Sequence, residues 1–108
     1  MQQVFIVADN IISSLGFDTS ENFRNIAGGI TGIRETSRLT LPGGKVYASL
    51  TDTGRLDEIS DSYLDPKRYT KLEKMIISSV HNAVDSAPTD ITDPETIIIL
   101  STVKGNND

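Results

Sequence analysis

Thiol chemistry, disulfide pairing and thiolate metal binding all begin with a cysteine, and this 108-residue chain has none. That absence removes three classes of site at once, although it does not by itself identify a compartment. The one histidine, His81, lies about 180° round the helical wheel from Leu72, on the face opposite the apolar stripe of its helix. With no cysteine, and no serine or aspartate arranged beside it, it gives neither a triad nor a metal cluster. A structural or solvent-facing imidazole is expected, with no metal and no cofactor.

Three other groups have spacing worth reading. Ala27-Gly28-Gly29-Ile30-Thr31-Gly32 is glycine-rich, but it follows a helix instead of leading from a strand into one, so no helix dipole would face a phosphate. Thr102-Val103-Lys104-Gly105-Asn106 does follow an apolar run, the usual place for a ligand loop in an α/β sheet, so Thr102 and Gly105 are candidates for a site-facing loop. Lys67, Arg68, Lys71 and Lys74 gather four of the ten basic residues into one stretch. Lys67 and Lys71 are four apart and would share a helix face. The bland reading is a solvated helix end. The functional one is a docking point for an acidic partner, because a local positive patch steers association even on a negative protein.

These residues must be carried by a small fold. The length suits a single domain, residues 1–108, with 37% hydrophobic and 23% charged residues, values that fit a soluble globular chain. The net charge of −5 argues against a nucleic-acid partner. No run approaches the ~20 apolar residues of a membrane span, and Met1-Gln2-Gln3 lacks the positive start of a signal peptide, so a cytoplasmic protein with no membrane partner is expected. The acidic residues, among them Asp52, Asp57, Glu58, Asp61, Asp85, Asp90, Asp93 and Glu95, read as solvated loop charge.

The elements follow from periodicity. Val4-Phe5-Ile6-Val7-Ala8 and Thr96-Ile97-Ile98-Ile99-Leu100 are continuous apolar runs, suited to strands buried on both faces, about 4–8 and 96–101. A short helix is expected at about 20–27, with Phe23 and Ile26 inward and Gly28-Gly29 ending it. Pro42-Gly43-Gly44 between alternating runs predicts a hairpin at about 38–50. Residues 52 to 64 read as an irregular surface connection. Asp65-Pro66 predicts the start of a long helix at about 66–86, whose Leu72, Met75, Ile76, Ser79, Val80, Ala83 and Ala87 form one stripe. Strand, crossover helix and strand together predict an α/β fold with parallel strands.

In order along the chain, these features resemble the ketoacyl synthase family. Residues 4–16, Val-Phe-Ile-Val-Ala-Asp-Asn-Ile-Ile-Ser-Ser-Leu-Gly, resemble its opening strand and turn, with departures at Val7, Ala8, Asn10 and Ser14. Phe23, Ile26, Gly29, Thr31, Gly32 and Ile33 stand without a gap where the family has an aromatic residue, a leucine and Gly-x-Ser-Gly-Ile. Leu64-Asp65-Pro66-Lys67 through Leu72-Glu73 is similar to the basic start of the next family helix. Ile97 to Gly105 is similar to the second core strand and glycine loop, of which Thr102 and Gly105 are kept.

That resemblance implies the amino-terminal part of a thiolase-like fold. It implies a parent 3-oxoacyl-[acyl-carrier-protein] synthase, a homo- or heterodimer that condenses an acyl thioester with malonyl held on acyl carrier protein and releases carbon dioxide. The family's cysteine and two assisting histidines are expected beyond Asp108, so no catalytic residue is expected within the chain and the segment is expected to be inactive alone. By the same resemblance Lys67 and Lys71 match basic sites that meet the carrier protein, while Thr70 replaces another. Two alternatives remain: a free-standing α/β protein-interaction module, and a segment of a non-catalytic chain-length partner in a paired synthase. Left alone, the segment is expected to self-associate through uncovered apolar surface.

Overall fold

The computed structural model describes residues 2–36, 42–88 and 90–102. The chain divides into two compact units, Ile11–Asp52 and Met1–Asn10 with Thr53–Asp108. Among the described residues, three helices and one two-stranded antiparallel sheet make a small mixed α/β structure.

In the unit Ile11–Asp52, helix α1 (Thr19–Ala27) starts because Asp18, held in an extended conformation, accepts the Glu21 N–H. The Glu21 carboxylate in turn accepts the Phe17 N–H at 2.8 Å. This exchange satisfies two groups at the helix start and places an acid where the dipole favours it. The helix ends at Gly28, and Gly29 follows in the left-handed region at φ 76°, as the paired glycines predict. The side expected to be buried is not: Phe23 and Ile26 are exposed, and Asn22 is the buried residue. Asn22 wins because its amide donates to the Ile11 and Asp18 carbonyls and its oxygen accepts from Ser13. Buried polar groups are tolerated when so completely paired.

The hairpin forms around Pro42-Gly43-Gly44, with Gly43 and Gly44 both at positive φ, but one strand is displaced from its expected place. Strand β1 (Ile33–Thr36) pairs antiparallel with β2 (Val46–Ser49) in the register Ile33↔Ser49 to Thr36↔Val46. The alternating run at 38–41, expected to be the first strand, lies outside the described residues. Gly32 precedes β1 where Ser14 and Ser49 come together and share a hydrogen bond. A Cβ at Gly32 would overlap Ser14 Oγ.

In the other unit, α2 (Thr53–Ser60) occupies the stretch expected to be irregular, and α3 (Lys71–Ser86) is shorter than the expected 66–86. Leu56 and Ser60, four apart on α2, are both buried. One apolar residue and one small residue give this helix its inner face, too little for a periodicity signal. Helix α3 starts at Thr70 and not at Asp65-Pro66, because Thr70 Oγ1 accepts the Glu73 N–H at 3.2 Å and bonds the Glu73 carboxylate at 3.0 Å. Asp65 instead closes a turn, its carboxylate and carbonyl accepting the N–H groups of Lys67 and Arg68. Helix α3 ends just before Pro88.

The two apolar runs are the largest departure. Residues 4–8 and 96–101 show no helix, turn or bend, a course close to extended, but belong to no ladder among the described residues, so the expected parallel strands are not formed. Val4 and Ile6 are 90% and 88% exposed, and Ile97 and Ile99 are 76% and 83% exposed. Parallel pairing is the weaker ladder per residue and is found where helices or sheets cover both faces. Here α3 is the helix alongside both runs. Among the described residues, no helix is long and apolar enough to cross a membrane.

Candidate functional site

Within the unit Met1–Asn10 with Thr53–Asp108, one groove runs beside α3. Val7 and Ala8 of the first extended run, Val80 and Val84 of α3, and Ile97 and Ile98 of the last run line a cavity of about 160 Å³. The apolar stripe read from the sequence of α3 supplies its floor, since Ser79, Val80, Ala83 and Ala87 all face it. One end is polar. Asn10 Nδ2 donates to Ser79 Oγ at 2.8 Å, and Asn82 Nδ2 donates to Asn10 Oδ1. These two bonds fasten the end of the first run to α3, a contact across about seventy residues of sequence. The lining mixes apolar side chains with the polar Asp9, Asn10, Ser79 and Thr96.

The basic cluster is not one patch. Lys74 is buried at 8% exposure, its ammonium 2.9 Å from Asp57 and 3.8 Å from Asp61. The Asp57 hydrogen bond, aided by the charges of Asp57 and Asp61 against the cost of burial, raises the Lys74 pKa above the usual lysine value. Lys74 therefore fastens α2 to α3. Lys67 and Arg68 are exposed in the turn before the helix, and Lys71 is half-buried at its first position. Lys67 and Lys71 do not share a helix face, because residues 66–68 form a turn and the four-residue spacing has its meaning only within a helix.

His81 is exposed and stacks on Tyr63, with ring centroids 4.6 Å apart and planes 24° from parallel. The Tyr63 hydroxyl lies 2.8 Å from Ser78 Oγ, and Ser78 is buried. Tyr63 thus joins the turn after α2 to two residues of α3, one turn apart. The histidine has a structural partner that sequence reading did not find. An aromatic residue just past a short helix carries no signal for a contact eighteen positions away. Ser60 is fully buried, and its hydroxyl has no hydrogen-bond partner.

Of the two residues placed in a site-facing loop, Thr102 is exposed at the end of the last run. Gly105 lies outside the described residues. A second cleft, in the unit Ile11–Asp52, is lined by Ser14, Gly32, Arg34, Thr36, Ala48 and Leu50. Among the described residues, no group of three or more histidine, aspartate and glutamate side chains is arranged to hold a metal ion. Tyr63 joins Ser78 and His81, and among the described residues no hydrogen bond links the Ser78 hydroxyl to a base, as nucleophilic catalysis requires. The chemistry that this arrangement offers is recognition along the apolar groove. No protein-family model, curated protein or solved structure matches this chain.

Proposed function

We propose that the chain is the amino-terminal scaffold segment of a 3-oxoacyl-[acyl-carrier-protein] synthase, a cytoplasmic acyltransferase of fatty-acid or polyketide-type biosynthesis with a thiolase-like fold. The observation that carries this reading is the groove. Two apolar runs at the start and end of the chain both contribute residues to the groove beside α3, and in such an enzyme they would be the strands on either side of a crossover helix. Consecutive side chains of both runs are exposed, and in the whole enzyme strands and helices from elsewhere would cover them.

In such an enzyme a thiolate attacks the acyl thioester, and imidazole donors stabilise the enolate left when malonyl loses carbon dioxide. This chain has no cysteine and one histidine, and that histidine is stacked on Tyr63. The catalytic groups would be supplied by residues after Asp108. Sequencing the gene past Asp108 tests the proposal. A reading frame with a cysteine at a strand-to-helix turn and two later histidines is expected, and a stop codon directly after Asp108 would sink it. Exposed Lys67 would contribute to carrier-protein docking together with Lys71. In the full-length enzyme, Lys67→Glu with Lys71→Glu is expected to weaken carrier affinity at low salt by roughly tenfold, and unchanged affinity would remove this role.

A second reading, a free-standing α/β interaction module, is favoured by one feature. The groove is open and apolar in a chain whose other buried positions are largely polar. Contiguous exposed apolar surface on a small domain marks an interaction site.

A further inference from the structure

The segments that line the groove carry acidic residues and no basic ones. Asp9, Asp85, Asp90, Asp93 and Glu95 stand exposed on the segments that form it or next to them. Residues 2–10 and 75–102 contain no lysine or arginine. The carboxyl of Asp90 is held below its usual range by hydrogen bonds from the Thr92 hydroxyl and then from the Thr92 N–H, so this part of the rim stays charged. Inside the rim the two runs at 4–7 and 97–100 carry no charge, no proline and no glycine. They are extended, and no ladder includes them among the described residues. An extended edge of this kind is completed by strand addition, in which main-chain hydrogen bonds give affinity and alternate side chains enter the groove.

The charge of the rim selects among occupants. A second copy would bring the same five carboxylates and a net charge of −5 to meet them, and like charges placed together across an interface oppose docking. An uncharged strand would leave the rim unused. We infer that the groove binds an extended apolar segment of another protein whose flanks carry lysine or arginine. This inference rests on the interaction-module reading and adds to it the chemistry of the partner. Apolar contact with Val7, Val80, Ile97 and Ile98 would supply affinity, and the carboxylates would supply orientation and on-rate.

The test uses the whole chain and two fluorescent peptides with one alternating valine and threonine core, one with two lysines at each end and the other with two glutamates. By fluorescence anisotropy at low salt, the lysine-flanked peptide is expected to bind at least about tenfold more tightly, with the difference shrinking as ionic strength rises. Asp85→Lys with Glu95→Lys, both exposed positions, is expected to abolish or reverse that preference while leaving thermal melting near that of the parent chain. Equal affinity for the two peptides would overturn the charge inference and leave the interaction-module reading standing. Failure of both to bind would overturn both. Sedimentation of a dimer that neither peptide displaces would overturn the inference in favour of a second copy.

Discussion

The seam between α2 and α3 and the two apolar runs beside α3 belong to one compact unit, yet each holds the residue types normally found in the other. The seam buries Ser60, Lys74 and Ser78 around a single leucine, Leu56 at 1% exposure. The runs hold Val4, Phe5, Ile6, Ile97, Ile98, Ile99 and Leu100, and all of them are exposed. A finished core would be apolar and its surface polar. The difference indicates that the seam is a complete local structure, closed by ion pairs and hydroxyl contacts. The runs are surface prepared for a covering that the described residues do not supply.

Four variants probe that contrast. Leu56→Ala removes the one fully buried apolar side chain of the seam and is expected to cost about 2–5 kcal/mol, read by denaturant unfolding with helix circular dichroism. A loss below about 1 kcal/mol would mean that the seam is held by its polar contacts alone. Thr70→Ala takes away the cap that starts α3 and is expected to cost about 1 kcal/mol. Ser60→Ala acts in the other direction, because it deletes a buried hydroxyl without a partner. A gain of about 1 kcal/mol is expected, and destabilisation would show that the hydroxyl has a hidden partner. Ile97→Thr with Ile99→Thr changes two exposed side chains and is expected to stay within about 0.5 kcal/mol of the parent chain. A loss near that of Leu56→Ala would erase the contrast between the two regions.

The ion pairs of the seam also have a pH signature. The folded-state pKa of Lys74 is raised, chiefly by Asp57, so its contribution is fully present below the unfolded-state value and is lost as pH rises through the folded one. Thermal midpoints of the parent chain should therefore fall above the ordinary lysine value of 10.5. Lys74→Met, already less stable at neutral pH, should show less of that fall. Identical slopes for the two chains would remove Lys74 from the account.

Much of the helical structure is legible in the sequence, because caps and turn residues act locally. Gly28-Gly29, Pro42-Gly43-Gly44 and Pro88 mark the end of α1, the hairpin turn and the end of α3. Their effect depends on φ and on missing N–H groups, which no distant contact alters. Asp65-Pro66 reads as the start of α3, but the cap at Thr70, which bonds both the Glu73 N–H and the Glu73 carboxylate, prevailed instead. That five-residue shift dissolved the apparent face shared by Lys67 and Lys71. Helix α2, the burial of Asn22 and the pairing of Lys74 with Asp57 were not legible. Each depends on what lies across the fold, and a lysine written into a basic cluster looks the same whether it faces water or two aspartates. The groove was half legible: the stripe on α3 and both apolar runs were plain, but burial was inferred from apolarity alone, a step that fails where covering strands are not provided.

The central claim is that residues 4–7 and 97–100 are extended but unpaired, while α3 beside them is firmly formed. Native-state hydrogen exchange tests it residue by residue, since unpaired extended amides exchange like loop amides and core helix amides open only with larger unfolding. Amides at 4–7 and 97–100 are expected to exchange at least about a hundredfold faster than those in the middle of α3. Protection of the two runs equal to that of α3 would contradict the account, because it would mean that a ladder already covers them.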